Sequence, residues 1–186
     1  MYNIPGKVNY IKKAVLDIEL SAGVMLDHDT WVGAKDHNKY FQDQLTPYYD
    51  QLKICVELDG EVLVDQHVDT GTICVHHDFL DSEIQTCHVL KIAVQGFQPE
   101  FNQLYQDKDA YVMIRLNNIS IENLTMQYML DQTGQYIHSN QISSASQYMG
   151  HNGHCVFEFE TPIYKWLLSC HNNIKPIVDN TKYITQ

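Results

Sequence analysis

One arginine, Arg115, serves a chain of 186 residues. Duplex recognition needs cations against phosphates, and arginine is the usual reader of base edges. With 12 basic residues against 23 acidic ones, the formal net charge is −11. Both facts argue against nucleic acid and against an anionic membrane as partners. Long apolar runs are missing too, since none approaches the roughly 20 residues that span a bilayer. The opening Met1-Tyr2-Asn3-Ile4-Pro5-Gly6 has neither the charged stretch nor the apolar stretch of a signal peptide. This predicts a protein made in the cytoplasm and not exported by a leader.

Paired CxxC spacing is absent among Cys55, Cys74, Cys87, Cys155 and Cys170, and their number is odd. Reduced thiols, mostly in the core, are the expectation. The chain also lacks G-x-S-x-G, H-E-x-x-H and a phosphate loop. No catalytic or cofactor motif stands out, and a non-enzymatic protein is expected.

What is present is alternation. Leu52, Ile54, Val56 and Leu58 alternate with Lys53, Cys55 and Glu57, the mark of a strand with one buried face. Similar patterns run over residues 15–20, 72–76, 88–94 and 111–116. Ile119 and Ile121 continue the last of these, and further strands begin at Met126, at Gln135 and at Cys155. Roughly eight short strands separated by turn signals predict an all-β fold, an antiparallel β-sandwich or jelly roll. With 44% hydrophobic residues the chain can fill one core. A single domain over residues 1–186 is expected, with a long loop at 21–50 and an extended tail at 172–186.

The Asp59-Gly60 pair marks a hairpin. A two-residue loop would set Val56 opposite Leu63. A three-residue loop, Asp59 to Glu61, sets Leu58, Val56, Ile54 and Leu52 opposite Val62, Val64, Gln66 and Val68. A one-residue slip turns a whole strand over, so the three-residue loop is expected. One short C-terminal helix is expected, with Thr161 as its cap and Pro162 at its first position. Ile163, Trp166, Leu167 and Cys170 form its apolar stripe.

Several residue groups could carry chemistry. Glu158 and Glu160 project to one side of a strand, as a glycosidase carboxylate pair would, but they also alternate with Phe157 and Phe159 as a solvated face does. His76-His77-Asp78 and His151-Asn152-Gly153-His154-Cys155 do not form a recognised zinc set. Asp107 and Asp109, like Asp27 and Asp29, place two hard oxygen donors in one loop and fit calcium. The aromatics Trp31, Tyr48, Tyr49 and Tyr105 could stack on sugar faces. With Trp166, they could equally anchor a protein partner.

The order of these pieces carries a resemblance. Lys53 to Gly60, then His88-Val89-Leu90-Lys91-Ile92-Ala93-Val94, then Asp107-Lys108-Asp109-Ala110-Tyr111-Val112 leading into Ile119 to Leu124, resembles the small calcium-dependent carbohydrate-binding modules of xylan-binding type. The resemblance covers about residues 52–124. It implies a β-sandwich that binds a cell-surface glycan with the help of calcium. In that family an aspartate after the H-x-L-x-I strand helps to hold the ion, whereas this chain has Gln95-Gly96-Phe97 there. Asp107 and Asp109 match the later acidic position.

The Asn-, Gln- and Tyr-rich, arginine-poor composition also resembles proteins of marine tailed phages, as does the segment Phe157 to Leu168. That resemblance implies a virion structural or accessory protein, such as a fibre, neck or head-decoration component. It would work by packing against other virion proteins or copies of itself. This is the leading functional expectation, and glycan binding is the alternative.

Overall fold

The computed structural model describes residues 11–26, 30–33, 51–68, 72–98, 110–126 and 133–173. These residues form two antiparallel sheets and one helix. The strands are β1 (Ile11–Leu26), β2 (Thr30–Gly33), β3 (Lys53–Leu58), β4 (Glu61–His67), β5 (Thr72–Ser82) and β6 (Thr86–Gln95). They continue with β7 (Ala110–Ile121), β8 (Leu124–Thr125), β9 (Gln135–His138), β10 (Gln141–Ser144), β11 (Tyr148–Met149) and β12 (Gly153–Thr161), followed by α1 (Ile163–Asn173).

The first sheet is built on β1. One edge of β1 pairs with β7, and the other is shared by β5 and β2. Beyond β7 lie β11 and the short β8. The second sheet runs β10-β9-β12-β6-β3-β4. Alternate residues of both sheets point inward and meet in one core, with Leu16, Ile18, Leu20, Ile54, Leu90, Ile92, Ile114, Phe157 and Phe159 among its most buried side chains. The β-sandwich expected from the alternation is the fold found.

The hairpin departs from expectation in an informative way. The turn has two residues, since Leu58 pairs with Glu61. Asp59 and Gly60 both take positive φ, 52° and 83°, as a type I′ turn requires. The ladder then skips one residue of β4 between Val56 and Glu57, so that Val56 faces Val64 and Ile54 faces Gln66. The turn therefore follows its local preference, and a β-bulge restores the register that burial favours.

Two further differences concern β1 and α1. A loop was expected from Ser21, where the alternation breaks and Gly23, Gly33 and Pro47 follow, but β1 continues to Leu26 and pairs with β7 throughout. The helix forms as expected, yet its first amide is capped from another strand. Ile163 N donates to Asp81 Oδ1 at 3.0 Å, while the Thr161 hydroxyl turns to the Ile84 carbonyl. Asp81 is itself buried at the end of β5. The stripe is used internally, with Ile163 and Trp166 buried and Leu167 and Cys170 packed against the core. It is thus not a surface for a virion partner. No described helix is long and apolar enough to cross a membrane.

Candidate functional site

The outer face of the first sheet gathers three side chains from three separate strands. Strand pairing explains how. Met25 faces Trp31 on β2 and Tyr111 on β7. Gly23 faces Gly33 and Met113. Ser21 faces Arg115, which faces Tyr148 on β11. Since Ala22 and Val24 point into the core, Ser21, Gly23 and Met25 point outward, and Trp31, Arg115 and Tyr148 lie on their side.

Gly23 is the floor of this arrangement. A Cβ there would lie 2.5 Å from Trp31 Cζ2, 2.7 Å from Cη2 and 2.5 Å from the Val32 carbonyl oxygen. The bare backbone lets the indole lie across β1 toward Arg115. The guanidinium carbon sits 5.8 Å from the Trp31 ring centre and 5.6 Å from that of Tyr148, within cation–π range. The two rings are 5.7 Å apart and inclined by 47°. All three side chains are partly exposed.

Polar groups border the rings. β7 carries a bulge beside Glu19, which faces Asn118 while Leu20 faces Leu116, so Asn117 is the extra residue. The Ser21 hydroxyl donates to Asn117 Oδ1 at 3.0 Å, and Asn117 Nδ2 donates to Glu19 Oε1 at 3.0 Å. The result is a partly exposed aromatic cluster with the Asn117 amide and the Arg115 guanidinium alongside. Among the described residues it has no buried nucleophile or paired acid and base.

Of the aromatics singled out in the sequence, Trp31 is in this group. Trp166 is in the core, only 7% exposed, with its ring 5.9 Å from Phe157 and 6.1 Å from Phe159. Tyr48, Tyr49, Tyr105, Asp107 and Asp109 lie outside the described residues, as do Asp27 and Asp29. Sequence reasoning missed Tyr148 and the role of Arg115. The available signal was a sole arginine at an outward position of a strand.

A second cluster stands where β9 meets the turn into β12. The His138 and His151 rings stack at 5.0 Å and 14°, and Tyr136 lies 4.8 Å from His138. Tyr136 donates to the His151 carbonyl at 2.7 Å. Burial lowers the His151 pKa, and the neighbouring His138 lowers it further. Burial raises that of Tyr136.

The other candidates separate. Glu160 lines a cleft of about 270 Å³ beside α1 and accepts from Gln85 Nε2 at 2.6 Å, but Glu158 is not among the cleft's lining residues. His76 is exposed and pairs with Asp17 at 2.6 Å, which raises its pKa through the hydrogen bond and the charge of Asp17. Among the described residues no three His, Cys, Asp or Glu side chains gather to hold a metal. At the place of the family's calcium aspartate, Gly96 lies against the Gln51 backbone with no room for a side chain. Asp107 and Asp109, the residues expected to hold calcium, lie outside the described residues.

No family model and no curated protein matches the chain. Two solved structures are similar in shape. One is the selenomethionine form of vCBM60, described as part of a circular-permutation link between two families of calcium-dependent carbohydrate-binding modules. It shares 10% identity over 77% of this chain and 89% of that one, with a TM-score of 0.43. The other is vCBM60 in complex with galactobiose, at 10% identity over 77% of this chain and 96% of that one, with a TM-score of 0.40.

Proposed function

We propose that this chain is a non-enzymatic glycan-binding module, and that the outer face of the first sheet is its binding surface. The observation that carries this reading is the Trp31 indole laid over Gly23, with Tyr148 and Arg115 beside it. A pyranose presents a flat C–H face and a rim of hydroxyls. Partly exposed rings suit the former, and Asn117 and Arg115 suit the latter. Trp31 and Tyr148 contribute stacking area, and their two-torsion side chains lose little entropy on binding. No step of this reading passes through calcium. A virion role has no corresponding observation in the described residues.

The test is a glycan array probed with the full chain, followed by titration calorimetry with the best ligand. Trp31→Ala and Tyr148→Ala should each weaken binding by about tenfold or more, roughly 1.4 kcal/mol, with an unchanged melting temperature. Binding should survive a chelator if the platform alone holds the sugar. An array without signal overturns the reading, as does full affinity in the double variant.

A further inference from the structure

We propose that this face selects a glycan that carries isolated carboxylates, a uronate-bearing saccharide, with the Arg115 guanidinium as the carboxylate receptor. The inference rests on the reading of the face as a glycan platform, and adds the chemical class of the ligand.

The argument begins with the other cations. Five lysines lie among the described residues, and each is paired with a carboxylate: Lys12 with Glu122, Lys13 with Asp78, Lys53 with Asp65, Lys91 with Glu57 and Lys165 with Glu83. In a chain with about twice as many acids as bases, this is the expected outcome. Arg115 is the exception. It has no carboxylate partner among the described residues, and its recorded contacts are the Trp31 and Tyr148 rings.

Arginine is the side chain best suited to a planar carboxylate, because its fork of donors meets both oxygens at once. Here the fork is held in place. Nε is closed off from solvent with no hydrogen-bond partner among the described residues, and it is the guanidinium's sole nitrogen in that state. The terminal nitrogens therefore remain as the donors a ligand could meet. The guanidinium lies within cation–π range of both rings, an interaction that leaves those donors free. A sugar stacked on Trp31 or Tyr148 would bring a ring substituent to the guanidinium. A C6 carboxylate would supply the acceptor pair that the described residues do not.

The surrounding charge limits the class further. Glu19 lies two residues from Ser21 on β1, about 7 Å along the strand, and Asp17 follows on the same side. The chain as a whole carries −11. At physiological salt, repulsion reaches about 8 Å. A densely charged polyuronate would place further carboxylates inside that range, whereas a neutral glycan with occasional uronates would not.

The test uses the full chain on an array in which every uronate-bearing glycan is printed beside its carboxyl-reduced neutral form. The acidic form should bind about tenfold more tightly, and added salt should shrink that ratio. Arg115→Gln should abolish the ratio by weakening the acidic form far more than the neutral one. Arg115→Lys should recover only part of it, since an ammonium cannot offer the fork. Equal binding of both forms by the native chain overturns the inference, as does a ratio that persists in Arg115→Gln or a response confined to sulfated glycans. Should Arg115→Gln fold poorly, the salt dependence of the native ratio still decides. Neutral binding that Trp31→Ala removes, without an acid preference, sinks this inference and leaves the platform reading standing. No binding to any form sinks both.

Discussion

His88 Nδ1 lies 2.7 Å from Asp59 Oδ2, and the other oxygen of the same carboxylate accepts from Val89 N at 2.8 Å. A third bond, Asp59 N to the Val89 carbonyl at 2.9 Å, completes the link. One turn residue thus clamps the β3–β4 hairpin onto β6. The His88 ring stacks on Phe159 at 5.1 Å and lies 5.5 Å from Phe79. Its Nε2 is buried without a hydrogen-bond partner among the described residues. The Asp-Gly turn and the histidine of the H-x-L-x-I strand, which occur together in the motif order, are therefore direct structural partners.

Asp59→Ala removes the acceptor of both bonds. It leaves the nearly buried His88 Nδ1 without its partner. A loss of about 1–3 kcal/mol is expected, seen as a lower urea midpoint with an unchanged slope. His88→Phe should cost less, because the ring position stays filled, the orphaned Nε2 disappears and the half-exposed Asp59 turns to water. Equal losses in the two variants would contradict this account of the pair.

The strands that alternate were legible because burial on one face writes period two into the sequence. β3, β6 and β12 stand where Ile54, Leu90 and Phe157 predict them. The bulge in β7 was visible as a change of parity, from Leu116 to Ile119. The turns at Glu122-Asn123 and Ser139-Asn140 were not legible. Both have two residues with positive φ, but neither contains the glycine that announces such a turn. The aromatic face was least legible. Trp31, Arg115 and Tyr148 are far apart along the chain, and only the pairing of β1, β2, β7 and β11 brings them together.

Cys155 is buried, and burial pushes its thiol up to about 12. Its thiolate is then nearly absent at pH 8. Cys74 is exposed on β5. Cys87 is exposed too, but partial desolvation and the neighbouring Glu158 and Glu160 raise its pKa. Iodoacetamide should modify native protein at Cys74 first, at Cys87 more slowly, and at Cys155 only on unfolding. Peptide mass spectrometry against time reads the order directly, and early modification of Cys155 would refute its burial.

The His138–His151 stack predicts a decline in stability toward acid. Desolvation, with His138 beside it, depresses the folded pKa of His151, so the unfolded chain takes up the proton first. Its contribution is present above the ordinary histidine value of about 6.5 and is lost as pH falls toward the folded value. His76 runs the other way. Its pKa is raised by Asp17, so its contribution is present below about 6.5 and fades as pH rises through the folded value. Melting temperatures across pH 5–8 should drop on the acid side, less steeply in His138→Gln. His76→Gln should remove a small gain at acid pH. An identical acid slope in His138→Gln would show that the stack is not its origin.

Gly23→Ala joins the fold to the proposed function. The added methyl meets the Val32 carbonyl oxygen and the Trp31 ring at 2.5 Å. The carbonyl cannot retreat without loosening the pairing of Gly23 with Gly33 and Val24 with Val32, so the indole must lift or β2 must shift. Overpacking of this kind costs about 1–3 kcal/mol. A lifted indole also leaves the guanidinium without one of its two rings. In a Trp166→Phe background, which isolates the Trp31 signal, the emission maximum should move to the red and glycan affinity should fall with it. Gly60→Ala is the control. Its Cβ meets nothing within 4 Å, and its φ of 83° makes the substitution a matter of backbone strain alone, about 1–2 kcal/mol. That variant should lose stability to a similar degree with glycan affinity and Trp31 emission unchanged. If both glycine variants bound glycan as the native chain does, Trp31 would not be part of the binding surface.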